Sequence, residues 1–393
     1  MSSLLGVLLF LVALMVAIFL HEGGHFVTAK LFGMKVERFF LGFGTTLWSF
    51  RRGETEYGVK LLPLGGFCKI AGMSPYEYDG NFLETERRPR SALEPAPDPV
   101  PPERQFRNKP AWQRAIVLAA GSVTHFLVAL VLLYGLLVLV GLQNGPPTTT
   151  IQSTVATTSS GAPAPAQAAG LRPGDKIVAI DGQAIATFQQ VREAVAGKAG
   201  QRVTITFERH GRQHTVTLIP ANQDGRGFLG VAPTLETRRT GPLRGIGDSG
   251  RMFGQVVADS FRGIGGLIPG LAERIHPTQA VGEGTGGGGG NGTPVGLIQI
   301  GRFAGQAVAA GQWGAFLVLL IQFNVFVGIF NLLPIPILDG GYLAMVGWQA
   351  LTKRELDLRK LAPVAAVVVS LLVIFVVVVA WLDITNPVAN PFK

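Results

Sequence analysis

Residues 4–25 read LLGVLLFLVALMVAIFLHEGGH, and the join between the two halves of that string decides what kind of molecule this is. Residues 4–20 carry no charged side chain, which is close to the roughly 20 helical residues needed to cross a hydrocarbon core of about 30 Å. A secretory leader fits poorly. No basic residue precedes the run, and it passes straight into His21-Glu22 rather than a small-residue cleavage site. His21-Glu22-Gly23-Gly24-His25 then sets two imidazoles four residues apart with a carboxylate between them. On a helix, positions i and i+4 share a face, so both rings can hold one metal ion while Glu22 reaches a water beside it. Ionisable side chains at the end of an apolar helix are costly and read as functional by default. The plainer reading has the two histidines merely ending a span.

The rest of the 393-residue chain continues the apolar theme, with 48% hydrophobic residues and only 15% charged, against about a quarter in ordinary soluble domains. Disorder, collagen, coiled coil and a soluble cytosolic enzyme are thereby excluded. The lone Cys68 excludes an internal disulfide framework and a thiolate-only zinc site. Further apolar runs cover residues 115–142 (interrupted by Gly121 and His125), 313–333 and 361–382, which makes four spans the simplest count. The net charge of +9 is mostly a topology signal. Lys30, Arg51, Arg52, Arg87, Arg88, Arg104 and Lys109 lie between the first two spans, and Lys353, Arg354, Arg359 and Lys360 between the last two. The excess of basic residues predicts both segments in the cytoplasm and both termini and residues 143–312 outside. Clustered basic helices with interleaved aromatics are absent, and no nucleic-acid partner is expected.

Residues 148–235 read as a soluble insert, with short strands at 151–155, 176–180, 203–209 and 214–219 and a helix at 188–196. Ala169-Gly-Leu-Arg-Pro-Gly-Asp-Lys-Ile-Val-Ala-Ile-Asp-Gly182 resembles the PDZ signature. Pro173-Gly174-Asp175 makes a tight turn, Ile177 and Ile180 point inward, and Asp181-Gly182 closes a hairpin. Some other small β domain is the alternative. Because PDZ domains add a peptide strand to a sheet edge, the resemblance implies binding of a peptide or new C-terminus, or exclusion of a polypeptide by size. Residues 89–103 and 282–294 read as flexible by composition, and 245–280 as an amphipathic helix along the membrane surface. The glycine run at 286–290 is no nucleotide loop, since neither a preceding strand nor a following Lys-Ser/Thr accompanies it.

A zinc ion held by two histidines needs a third protein ligand and an open position for catalysis. The best candidate is Asp339 in Asn331-Leu-Leu-Pro-Ile-Pro-Ile-Leu-Asp-Gly-Gly341, after the third span. Spans one and three run in the same direction, which brings His21 and Asp339 to similar depth near the cytoplasmic face. A simple Asp-Gly turn is the alternative.

These motifs, in this order, resemble the site-2 protease family of intramembrane zinc metalloproteases, most closely the bacterial regulated-intramembrane-proteolysis enzymes with one PDZ domain. The resemblance implies a polytopic α-helical membrane protein of four transmembrane helices with membrane-associated β-hairpins and an inserted extracytoplasmic PDZ (α+β) domain, in the bacterial cell membrane. Its divisions would be 1–142 (two spans, HExxH and hairpin loop), 148–235 (PDZ), 245–294 (amphipathic segment and linker) and 295–393 (last two spans). It implies one Zn2+ per chain held by His21, His25 and Asp339, with Glu22 as general base. Residues 43–58 and 61–73 look like the family's β-hairpins, with Gly65, Gly66, Phe67, Cys68, Lys69 and Ile70 as an edge that holds substrate and Asn331 bonding to it. An ordinary cytoplasmic hairpin and a helix-capping asparagine are the alternatives. The implied clients are single-pass membrane proteins, such as anti-sigma factors, in contact with the lipid bilayer. A catalytically inactive PDZ-bearing scaffold is the competing function; a zinc transporter would need polar residues along a path that spans two and four lack. One departure stands out. Where the family has Gly-Pro-x-x-Asn, this chain has Gly121-Ser-Val-Thr-His125, and His125 reads as a packed polar residue of the bundle, with an approach to the site as the alternative.

Overall fold

The computed structural model describes residues 2–73, 100–155, 157, 163–223, 225–275, 295–336, 338–354 and 358–388. In chain order the elements are helix α1 (Ser2–Leu31), strands β1 (Val36–Arg52) and β2 (Thr55–Ile70), and helix α2 (Ala111–Gly135) with a following π-helical turn at Leu136–Val140. Next come β3 (Leu142–Thr154), α3 (Pro165–Ala168), β4 (Lys176–Ile180), β5 (Gln183–Ala184), α4 (Phe188–Ala196), β6 (Val203–Arg209), β7 (Arg212–Leu218), β8 (Ala221–Gln223), β9 (Arg226–Phe228) and β10 (Val231–Arg238). The chain continues through α5 (Pro242–Ile275), α6 (Leu297–Ala309), α7 (Trp313–Leu332), α8 (Asp339–Thr352) and α9 (Leu358–Thr385). The described residues fall into two compact units, one within Met1–Gly135 and Gly245–Phe392, the other within Leu136–Arg244. Residues 282–294 and most of 89–103, read as flexible from composition, lie outside the described residues; within the latter, Pro102–Arg104 forms a 3-10 turn.

Among the described residues, four helical stretches are long and apolar enough to cross a membrane: Ser3–Leu31, Ala111–Val140, Trp313–Leu332 and Pro363–Thr385. Their outward faces are bare hydrocarbon, with Val131 69% and Val367 59% exposed. At about 25 cal/mol per Å2 of apolar surface such faces are untenable in water and natural in lipid. The inward faces use small residues to bring backbones together. A Cβ on Gly6 of α1 would lie 2.7 Å from the Ala304 carbonyl oxygen of α6, and one on Gly305 would lie 2.6 Å from that of Ser3. This close approach is how helices associate where lipid removes the hydrophobic incentive. The amphipathic stretch forms α5, whose Phe253 ring meets Phe126 of α2 edge-on at 5.7 Å. The sequence reading left α6 unassigned and read residues 334–360 as a loop; α6 and α8 are regular helices.

Helix α1 does not stop where its apolar string does. It runs through HEGGH to Leu31, so the motif sits inside a helix rather than at its end. Two glycines cost about 1 kcal/mol each in a helix relative to alanine. Gly24 has a packing reason to stay: a Cβ there would meet the Ala120 carbonyl oxygen of α2 at 2.6 Å.

The β1–β2 pair behaves as four short strands. Residues 36–41 pair with 66–70 on one side (Phe39 opposite Cys68, Leu41 opposite Gly66) and with 56–59 on the other, and 56–59 also pair with 48–51. The segment 61–73 is therefore not a hairpin closed on itself, as the sequence reading had it. Its second half returns to 36–41, where Phe40 and Phe67 stack at 5.5 Å with the Lys60 ammonium over both rings. That leaves residues 66–70 paired on one edge only, among the described residues. At the hairpin tip, hydrogen bonds from Arg104 and Lys30 hold the Glu54 carboxyl down to about 2.

The second unit is a sheet ordered β10-β3-β4-β6-β7 with β5 beside β4, plus the β8–β9 hairpin. Its strands run from Leu142 to Arg238, beyond residues 148–235 at both ends. Its core holds Ile177 and Ile180 with Ile151, Val191, Val203 and Ile205. Gly174 takes φ +91° in the turn before Asp175, and Asp181 and Gly182 both take positive φ between β4 and β5. Burial opposes the Asp175 charge, yet two hydrogen bonds from Arg209 and one from the Arg172 N–H hold its carboxyl below the ordinary range.

Candidate metal centre

His21 and His25 lie one turn apart on the same face of α1, with their Nε2 atoms 3.2 Å from each other. Asp339 opens α8, and its Oδ2 lies 3.3 Å from the Nε2 of each histidine. The chain reaches that position by ending α7 at Leu332 and passing through Pro334 and Pro336, which cannot continue the helix. The return is tight enough to demand glycines. A Cβ on Gly340 would lie 2.2 Å from the Leu332 carbonyl oxygen, and one on Gly341 would lie 2.3 Å from that of Ile335. A carboxylate in the first turn of α8 is also favoured by the helix dipole.

The three atoms form a nearly equilateral triangle, and its chemistry calls for a cation. His25 Nδ1 donates to the Val117 carbonyl oxygen at 2.7 Å, so Nε2 is left as a lone pair facing the triangle. A second imidazole nitrogen and a carboxylate oxygen face the same point. The buried Asp339 Oδ2 has no hydrogen-bond partner, and neither has His21 Nδ1. Acceptors converge in this way around a positive charge. Ligands at 2.0–2.1 Å around a tetrahedral zinc stand about 3.3–3.4 Å apart, which is the spacing of these three atoms. The residues fit the metal.

Helix α2 closes one side of the triangle. A Cβ on Gly121 would lie 2.4 Å from His25 Nε2 and 2.5 Å from His21 Cε1, so only glycine permits this approach. His125, one turn further along α2, is buried with its ring 5.1 Å from that of His21, and its Nδ1 lies 3.0 Å from Asn324 Oδ1 of α7. The structure therefore puts His125 both in the packed bundle and beside the cluster, the two places the sequence reading left open for it. Glu22 points the other way, toward the sheet. A Cβ on Gly66 would touch its Cγ at 2.9 Å. Glu22 thus stands between the triangle and the singly paired segment 66–70. Asn331 falls in the last turn of α7, half-buried, on the segment leading to Asp339.

Residues 9–375 match the model of peptidase family M50. The chain belongs to that family, the site-2 proteases. Among curated proteins, the M50 chain is 32% identical to zinc metalloprotease Rip1 of Mycobacterium tuberculosis over 99% of both chains. It is 32% identical to metalloprotease MmpA of Caulobacter vibrioides over 98% of this chain and 97% of that one. With zinc metalloprotease RasP of Geobacillus kaustophilus, identity is 27% over 98% of each. This M50 peptidase is therefore a zinc-dependent metalloprotease of the cell membrane, crossing it more than once.

Proposed function

We propose that this M50 peptidase is an intramembrane endopeptidase for single-pass transmembrane substrates, with its zinc held by His21, His25 and Asp339 and with Glu22 as general base. The observation that carries this is the triangle of Nε2, Nε2 and Oδ2 atoms at 3.2–3.3 Å, seated inside an apolar spanning helix. Zinc, when bound, polarises a scissile carbonyl and lowers the pKa of water.

The chain's own residues do the rest. Glu22 takes the proton of the attacking water and delivers it to the leaving amine. A substrate helix resists cleavage because its peptide groups are bonded within the helix, so it must unwind and be held extended. The segment Gly65, Gly66, Phe67, Cys68, Lys69 and Ile70, paired with a strand on one side among the described residues, is proposed to receive it by strand addition beside Glu22. Asn331 is proposed to bond the same extended segment.

The β-rich unit is proposed to be a PDZ domain outside the membrane, supported by its Pro-Gly-Asp turn, its buried Ile177 and Ile180 and its single long helix α4. In that role it filters clients by size or takes a new C-terminus. Membrane-bound regulators such as anti-sigma factors, trimmed outside first, are the proposed clients.

Glu22→Gln tests the assignment. Zinc content should stay at one per chain, while cleavage of a single-pass client in proteoliposomes should fall by about 100- to 10,000-fold, the usual worth of a general base. Cleavage at the wild-type rate would show that Glu22 is not the base.

A further inference from the structure

The two histidines of α1 are not equally supported. His25 has its Nδ1 fixed by the Val117 carbonyl oxygen at 2.7 Å, whereas the buried Nδ1 of His21 has no partner. With its Nε2 turned into the triangle, the His21 ring carries its hydrogen on Nδ1, so a buried donor lacks an acceptor. Such a group costs about 1–3 kcal/mol, and histidine ligands almost always place this N–H on an oxygen or nitrogen acceptor.

A side chain able to accept stands beside it on α2. The Nδ1–Cε1 edge of His21 faces Gly121, where a Cβ would lie 2.8 Å and 2.5 Å from those two atoms. Residue 125 follows Gly121 on the same helix face. The hydrogen bond at His125 fixes which nitrogen it offers. Asn324 Nδ2 donates to the Leu320 carbonyl oxygen at 2.8 Å, so the amide presents Oδ1 to His125 and only an N–H can meet it there. Neutral His125 therefore carries its hydrogen on Nδ1 and keeps Nε2 as an acceptor. The His21 and His125 ring centroids are 5.1 Å apart. A ring nitrogen lies about 1.2 Å from its centroid, so a straight N–H···N bond of about 3 Å places centroids roughly 5.4 Å apart; the two tilted rings are already that close, and a turn of one ring is what remains to close the bond, since His21 Nδ1 is still without a partner. Gly328 of α7 keeps the seam this close, since a Cβ there would lie 3.2 Å from His125 Cβ.

We infer that His125, oriented by Asn324, accepts a hydrogen bond from His21 Nδ1–H and is a positioning residue for the metal centre. This rests on the assignment of His21 as a ligand. The relay Leu320 carbonyl–Asn324–His125–His21 then serves His21 as the Val117 carbonyl serves His25.

The experiment uses full-length protein in detergent and reads metal retention rather than turnover: zinc release to an excess of chelator, and the visible bands of the Co2+-substituted protein. Loss of such a partner typically weakens metal binding 10- to 100-fold. His125→Leu should release zinc 10- to 100-fold faster and shift the Co2+ bands, while His125→Gln, which keeps an acceptor oxygen, should lie near wild type. Asn324→Leu, which leaves the ring but frees it to turn, should release zinc several-fold faster, and it decides the matter if His125→Leu does not fold. Wild-type release and spectra in His125→Leu, or in Asn324→Leu where that variant decides, overturn the inference; so do equal losses in His125→Leu and His125→Gln, which mark packing alone. His21→Ala separates the two layers of argument. Full zinc retention there removes His21 from the ligand set, whereas lost zinc there with wild-type behaviour in His125→Leu removes only the relay.

Discussion

At the scale of single residues, the triangle of His21, His25 and Asp339 depends as much on an absent side chain as on those present. Gly121 is the point where α2 touches both histidines, and the atoms a Cβ would strike belong to rings that cannot retreat without leaving the triangle. Gly121→Val is expected to abolish zinc binding while the protein still inserts in membranes; inductively coupled plasma mass spectrometry of the purified variant checks this, and a full complement of zinc would contradict it. HEGGH and Asp339 were legible in the sequence because their residue types are chemically unusual inside an apolar chain. The demand for glycine at 121 was not, because it is set by the partner helix. The same holds for His125: a lone histidine in a span reads as a packed polar residue until Asn324 and the bare nitrogen of His21 appear around it.

At the scale of elements, hydrophobic pattern found the four spans and the strands Lys176–Ile180 and Val203–Arg209, where period and turn residues agree. It passed over α6 and α8. Helix α6 is rich in small residues and lies against α1 rather than spanning, and α8 follows a proline-broken segment that hides its start. The N-terminus of α6 also lacks a cap of its own. Its first amides are met from α9, where buried Asp383 accepts from the N–H groups of Gly296 and Gln299 at 3.2 and 3.0 Å, while Arg302 donates to the Asp383 carbonyl oxygen at 2.7 Å. Gly296 is required there because a Cβ would lie 2.5 Å from Asp383 Oδ2. Across this gap in sequence no local pattern announces a cap. Asp383→Ala is expected to cost about 1–2 kcal/mol at this junction, and hydrogen exchange at the amides of 296–299 should quicken roughly tenfold. Unchanged exchange there would mean that the cap stabilises nothing.

At the scale of the whole molecule, the direction in which the spans run decides which compartment supplies the water and receives the fragments. In α1, residue 21 lies 17 positions after Leu4, a rise of about 26 Å at 1.5 Å per residue, against a hydrocarbon core of about 30 Å. The triangle is therefore deep on the side of Lys30, the basic residue in the last turn of α1. Lys30 bonds to Glu54 at the hairpin tip, which also takes Arg104, and Lys353 follows α8 on the far side of Asp339. Each basic side chain near an anionic inner leaflet is worth about 1 kcal/mol, so the summed bias is several kcal/mol toward a cytoplasmic face for this end. The β-rich unit would then lie outside. Single cysteines at exposed Gln213 and exposed Arg354, introduced with Cys68 replaced by serine, read this directly in intact cells. A membrane-impermeant maleimide should label Gln213→Cys nearly completely and Arg354→Cys only after permeabilisation. The opposite pattern would invert the molecule and place the His21, His25 and Asp339 triangle near the outer face.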